Sequence, residues 1–375
     1  MIVQAFLRWA ETAKVADRAK AADALARAYL QSQMGGEERK AAGLAMTYLL
    51  DDPSPRVRLA LAEAVCTSPD APRAIVMTLA EDQPEVACTI IACSPVLSES
   101  DLVDLAGRGD EVTRGLIASR PGVTRGVAAA IAEIGDETEI VLLLENPTAD
   151  ITRSSLRRMA ERFGRQMTIR NLLLERETLP ADARHMLVRH VADAILSSGL
   201  VRSAIGGGRL DHMGREAEEA ATVAIASDAG ADEIPSLVEH LRITGRLTPA
   251  FLIHALCAGK ADFVSCAVSS LSGLGERRVR PILATGREHA VRALFLSCGL
   301  SREIALVFVE AVFLWRDATA DRSAGDICAM LIERFSRKAQ ESASIAEMMD
   351  MIEKLNRLEI RARARAYASD VCLAA

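Results

Sequence analysis

Starting at Val57 the chain reads VRLALAEAVCTSPDAPRAIVMTLAEDQPE and runs into Val86; starting at Val123 it reads VTRGVAAAIAEIGDETEIVLLLENPTAD and runs into Ile151. The two stretches differ in length by a single residue. Set against each other, Val65 falls on Ile131, Asp70 on Asp136 and Leu79 on Leu144, once a one-residue gap is placed after the break. Each copy is an apolar-striped helix, a polar break and a second helix. Between them, Val86 to Glu111 forms a less regular copy with its break at Ser94, Pro95 and Ser98 to Ser100, and a half-copy, VTRGLIASRPG from Val112, joins it to the Val123 unit.

One helical hairpin cannot bury its apolar stripe alone, so successive hairpins must stack and share a core. That predicts an α-solenoid over residues 1–165. The breaks carry suitable chemistry. Ser54 followed by Pro55 is an N-cap with proline at the first helical position, which starts a helix near residue 55. Asn146, Pro147 and Thr148 close one helix and open another, from about Ala149 to Phe163. In this register Val57, Val86, Val123 and Ile151 face the shared core. Arg58, Arg125 and Arg153 follow by one or two residues and are turned about 100 to 200 degrees away.

Residues 2–33 and 37–50 read as helices separated by Gly35 and Gly36, an N-terminal cap for the array. After Gly164 the repeat fades. Residues 166–232 form a helical connector, with Gly206 to Gly208 as a hinge and a helix from about His212 to Ser227. Residues 233–375 form a second helical domain. Its helix stops are Gly245 with Pro249, Gly259, Gly273 with Gly275, Gly286 and Gly299, and its closing helices cover Asp321 to Ala339 and Ile345 to Ala368. No stretch alternates strictly over six residues or more, so the expected class is all-α.

The segment GRLTPAFLIHALCAGKADFVSCAVSSLSGLGERRVRPIL, residues 245–283, resembles the hallmark of a bacterial family catalogued as domain of unknown function 2336; SPRVRLALAE and RPGV in the first half also fit. Members of that family resemble HEAT-type repeat proteins and are found mostly in alphaproteobacteria. The resemblance implies HEAT-like hairpins. It transfers no catalytic residue or cofactor.

Composition narrows the function classes. Hydrophobic residues make up 50% of the chain and aromatics only 3%, so the core is mainly Ala, Leu, Val and Ile, a stock that favours closely packed helices. The 45 basic and 51 acidic residues give a net charge of −6 without a long block of one sign, which argues against nucleic acid as partner. Charges at Arg8, Glu11 and Lys14 interrupt any secretory signal core, and no apolar run approaches the roughly 20 residues of a membrane span. The eight cysteines show no CxxC pair and read as buried thiols in a reducing cytoplasm.

Candidate sites are few. His185 and His190 lie about 140 degrees apart on a helix and form no ligand pair. His240 and His254 lack the companions of a phosphorelay, and the triple glycine lacks the Lys and Ser or Thr of a P-loop. Two arginine groups remain as candidate partner-binding residues: Arg153, Arg157, Arg158 and Arg162 on one helix, and Arg357, Arg361 and Arg365, four residues apart near the end of the chain. The sequence therefore points to a non-enzymatic module that binds another protein, without cofactor or metal, as a signalling or regulatory adaptor. A sensor that clamps an anionic small molecule or nucleotide with arginines is the alternative.

Overall fold

The computed structural model describes residues 2–204, 207–317 and 324–373. Among these residues every regular element is helical. The chain forms two compact units, Met1–Glu177 and Thr178–Ala375. The first unit thus runs past the boundary expected after residue 165: residues 166–177 of the expected connector belong to it, and residues 178–232 belong to the second unit.

The first unit contains α1 (Ile2–Thr12), α2 (Val15–Gln31), α3 (Gly36–Leu50), α4 (Pro55–Val65), α5 (Arg73–Ala80), α6 (Pro84–Cys93), α7 (Glu99–Arg108), α8 (Glu111–Ala118), α9 (Arg125–Ile134), α10 (Glu137–Glu145), α11 (Arg153–Phe163) and α12 (Met167–Leu174). Each even-numbered helix packs on the next even-numbered one, giving an unbroken row from α2 to α12. Odd-numbered helices pack in the same skipping order, α1 to α3 to α5 and α7 to α9 to α11. Successive helices of the two rows bury their apolar sides against each other: Val57, Leu61, Ala62 and Val65 from α4, and Val127, Ala128, Ile131 and Ala132 from α9. Alanine at these contacts lets the axes approach closely.

Helix starts follow the local sequence. Pro55 occupies the first position of α4, as expected. Ser98 caps α7 in a box with Asp101, and Thr152 caps α11 through Ser155 N. The cap at Thr152 places the start of α11 later than Ala149. The single helix expected over residues 2–33 is divided at Lys14, which is extended, and the Ala13 carbonyl accepts a hydrogen bond from Arg18 Nη1 at 2.8 Å. No glycine or proline marks that break, so local composition does not reveal it.

The expected repeat register needs two corrections. Val57, Val86 and Val123 are buried, but Ile151 is only half-buried because it precedes the cap of α11. Arg58 does not turn outward. Its side chain is 15% exposed and reaches Asp82, whereas Arg125, paired with Asp150, is 73% exposed. The alignment itself pairs α4, in the even row, with α9, in the odd row. The half-copy from Val112 is α8, a single helix that shifts the phase.

The second unit contains α13 (Ala181–Ser197), α14 (Gly199–Ala204), α15 (Gly207–Asp228), α16 (Ile234–Ile243), α17 (Pro249–Cys257), α18 (Ala261–Ser272), α19 (Glu276–Thr285), α20 (Glu288–Ser297), α21 (Arg302–Asp317), α22 (Ala324–Glu341) and α23 (Ala343–Leu373). Helix α17 is its centre: every residue from Ala250 to Cys257 is buried, and α18, α21, α22 and α23 pack around it. A helix that is apolar on all sides belongs in an interior. Phe251 meets Phe263 edge-on at 5.7 Å. Gly273 ends α18 with φ 71, a left-handed conformation that costs a side chain about 1 kcal/mol or more. Of the expected hinge, Gly206 lies outside the described residues, while Gly207 and Gly208 open α15.

Candidate functional site

The fourth residue of α2, α4, α8 and α12 is an arginine: Arg18, Arg58, Arg114 and Arg170. Side chains at this position reach back over the helix start. Arg18 Nη1 donates to Ala13 O at 2.8 Å, Arg58 Nη1 to Asp52 O at 2.5 Å, Arg114 Nη1 to Gly109 O at 2.9 Å and Arg170 Nη1 to Arg165 O at 3.2 Å. The remaining nitrogens of the first three extend to an acid at the start of the next even-numbered helix. Arg18 holds Asp52 through Nε at 2.7 Å and Nη2 at 3.0 Å, and Arg58 holds Asp82 through Nε at 2.5 Å and Nη2 at 2.9 Å. Arg114 Nε donates to Glu139 at 2.9 Å, and its Nη2 lies 3.9 Å from Asp136.

These pairs are rungs along one edge of the unit, at the turns where the chain passes from an odd-numbered to an even-numbered helix. The planar guanidinium suits the role, because it bonds a carbonyl on one side and a carboxylate on the other. Burial raises the carboxyl pKa of Asp52 and Asp82, but the arginines, with the N–H groups of Ser54 and Gln83, bring both below their ordinary value.

Two cavities open on this edge. One, of about 240 Å³, lies beside the Arg18–Asp52 rung and is walled by Tyr48 and Glu11. The larger, of about 430 Å³, lies between the α5–α6 and α7–α8 turns. Its wall combines the apolar Ala87, Ile91 and Leu105 with Glu81, Asp82 and Asp110. Arg108 also lines it, 3.6 Å from Glu81. Asp110 caps α8 by accepting from Thr113 N at 2.9 Å, which holds its pKa down. Cys88 also faces the cavity, its thiol pKa raised by burial and then by the charges of Asp110 and Glu85.

The arginines singled out from sequence are largely engaged within their own units. Arg157 pairs with Glu161 at 3.0 Å, and Arg158 grips Glu133 at 2.6 and 2.8 Å. Arg162 donates to Ala132 O at 2.8 Å, ending α9, and stacks on Phe163. Arg153 opens α11 and is exposed. In the second unit Arg357 lies 3.7 Å from Glu353 and Arg361 is exposed, while the side chain of Arg365 lies outside the described ones. The spacing of the first group does produce a basic helix side, but Glu133, contributed by α9, was not legible from α11 alone.

A polar cluster in the second unit was not foreseen. His185 is 1% exposed, and its Nδ1 lies 3.0 Å from His240 Nε2 while its Nε2 lies 2.9 Å from Thr222 Oγ1. Thr222 donates its proton to Glu218 O at 2.8 Å, so His185 Nε2 carries the proton given to Thr222 and Nδ1 accepts from His240. Burial first, then the positive surroundings of His240, Arg189 and Arg246, push His185 down to about 4. Both arginines pair with Glu218. The two histidines stand 55 residues apart, which no local spacing could connect.

No group of three or more metal-ligating side chains occurs among the described residues, and no helix among them is long and apolar enough to cross a membrane. No curated protein and no solved structure matches the chain. Residues 86–347, well over half of the chain and including the Arg114–Glu139 rung and most of the lining of the larger cavity, match the family model described as "Uncharacterised protein conserved in bacteria (DUF2336)". The sequence resemblance and the family match agree: the chain belongs to the bacterial DUF2336 family.

Proposed function

We propose that this protein is a non-enzymatic interaction module of the bacterial cytoplasm, in which an α-solenoid of HEAT-like hairpins presents the rung edge to a protein partner as a signalling or regulatory adaptor. The observation that carries this reading is the pair of cavities along one edge whose turns are fixed by arginine rungs. A surface fixed before binding loses little conformational entropy when a partner docks. The free cysteines among the described residues suit a reducing compartment.

The test is affinity capture with the full chain as bait in its native cell, read by mass spectrometry. A partner recovered by the wild type and lost with charge reversal on the edge, Glu81→Lys with Asp110→Lys, supports the reading. Partners indifferent to those changes, or recovery of none, would sink it. A ligand held instead by the arginine groups would be lost with Arg153→Gln and Arg361→Gln.

A further inference from the structure

The rungs follow a rule, and one of them is incomplete. From α2 to α4, α4 to α6 and α8 to α10, an arginine at the fourth helical position meets an acid at the start of the next even-numbered helix. At α6 the fourth residue is Ala87, 6% exposed, while the acid that would answer it, Asp110 at the start of α8, is present. At α10 both halves are absent: Ile140 takes the arginine position, and the turn ahead of α12 is Gly164, Arg165, Gln166. Only the α6 rung keeps its acid and lacks its base.

The larger cavity lies where that arginine would stand, with Ala87 and Asp110 both in its wall. Neighbouring charges are already matched, Asp82 by Arg58 and Glu81 by Arg108. Among the described residues no basic side chain comes within ion-pair distance of Asp110, although the charge of Arg114 is felt there. A volume of about 430 Å³ holds a whole arginine side chain with room for its backbone at the mouth, where Val112 is 56% exposed.

We infer that the cavity at the vacant α6 rung is a socket for an arginine side chain of the protein partner, which supplies the missing base to Asp110 and rests its stem on Ala87, Ile91 and Leu105. This rests on the interaction reading above and names the chemistry that the partner must offer. The guanidinium completes the rung as Arg58 and Arg114 do in theirs, with the Asp110 carboxylate on one side and, in the pattern of those rungs, the α5–α6 turn on the other. The stem is buried against apolar walls while the charged head meets the acid.

The experiment uses the full chain and synthetic 12-residue peptide pools, randomised except for one fixed central residue: arginine, lysine, citrulline or glutamate. Citrulline keeps the size and planarity of arginine and removes its charge. Asp110 is exposed, so the arginine pool should bind roughly threefold to fivefold more tightly than the citrulline pool, the difference expected when a solvent-accessible charge pair is lost. Ala87→Arg should remove that preference by filling the socket from within, and should hold or raise the melting temperature because it completes the rung. Where Ala87→Arg does not fold, Asp110→Asn answers the same question, because asparagine still caps α8 but carries no charge. Equal binding of all pools, binding of none, or an arginine preference that survives both substitutions would overturn the socket. Free arginine bound as tightly as the arginine pool would also overturn it, in favour of a small-molecule site. Capture of the same cellular partners by wild type and Ala87→Arg would overturn the socket and leave the interaction reading standing.

Discussion

Exchanging Arg58 for methionine keeps most of the aliphatic stem and removes the charged fork, so it isolates what a rung contributes. Arg58 makes two bonds to Asp82, at 2.5 and 2.9 Å, and a third to Asp52 O at 2.5 Å. Its partner carboxylate is 16% exposed and keeps only the Gln83 N–H, at 2.7 Å, after the exchange. Leaving a mostly buried carboxylate without its base is destabilising, and water at the unit's edge relieves part of the loss; about 2 kcal/mol remains. Arg125→Met is the control. Its pair with Asp150 is 73% and 55% exposed and should contribute less than about 0.5 kcal/mol. Native-state hydrogen exchange read by mass spectrometry measures opening of α4 and α6 directly, with peptides of the second unit as internal reference. A loss of about 2 kcal/mol appears there as roughly thirtyfold faster exchange. The double variant Arg58→Met, Asp82→Asn should lose less than the sum of the two singles. Equal, small effects of Arg58→Met and Arg125→Met would refute the reasoning that inward rungs tie successive hairpins.

Two further outcomes concern pH. Asp101, gripped first by Arg73 at 2.6 and 2.7 Å and then by Ser98, is lowered from 3.8 to about 2, so its contribution is present above about 3.8 and lost as pH falls towards 2. Asp101→Asn should lower stability at pH 7 by about 2 kcal/mol, and urea unfolding at several pH values should show the gap to wild type closing in that acid window. A gap independent of pH would reject the assignment. His185 is lowered from 6.5 to about 4, so between these values the unfolded chain takes up a proton that the folded chain refuses. Stability of the second unit should therefore fall as pH drops from 6.5 to 4, by about 3 kcal/mol, and His185→Gln should flatten that slope. An unchanged slope in the variant would show that the carboxylates alone set it.

Much of the fold was legible because helix grammar is local. The proline start of α4 and the helix ends at Gly245, Gly259, Gly273 and Gly299 depend on residues within one turn of one another. Apolar stripes likewise placed Val57, Leu79 and Ile131 in the interior. The candidate site was less legible. The sequence drew attention to exposed arginines at helical spacing, whereas the structure engages Arg157, Arg158 and Arg162 within the unit and organises the edge around Arg18, Arg58 and Arg114. A signal did exist: arginine recurs at the fourth position after a helix start. Its meaning could not be seen without the acids of the following hairpin.

What the sequence by itself determined is that this chain is helical and that its first half is a series of hairpins, because hydrogen bonding, capping and amphipathic spacing act over a few residues. Which helices share a row was decided only by tertiary packing. Helices α4 and α9 carry nearly the same apolar pattern yet lie in different rows, since α8 shifts the phase between them and an apolar stripe fits either row. The same holds for charge. Arg58, one residue past its valine and fourth in α4, is inward, and Arg125, two residues past its valine and first in α9, is outward; the three-dimensional stack supplies the partners, setting Asp82 close against the first and leaving the second paired at the surface.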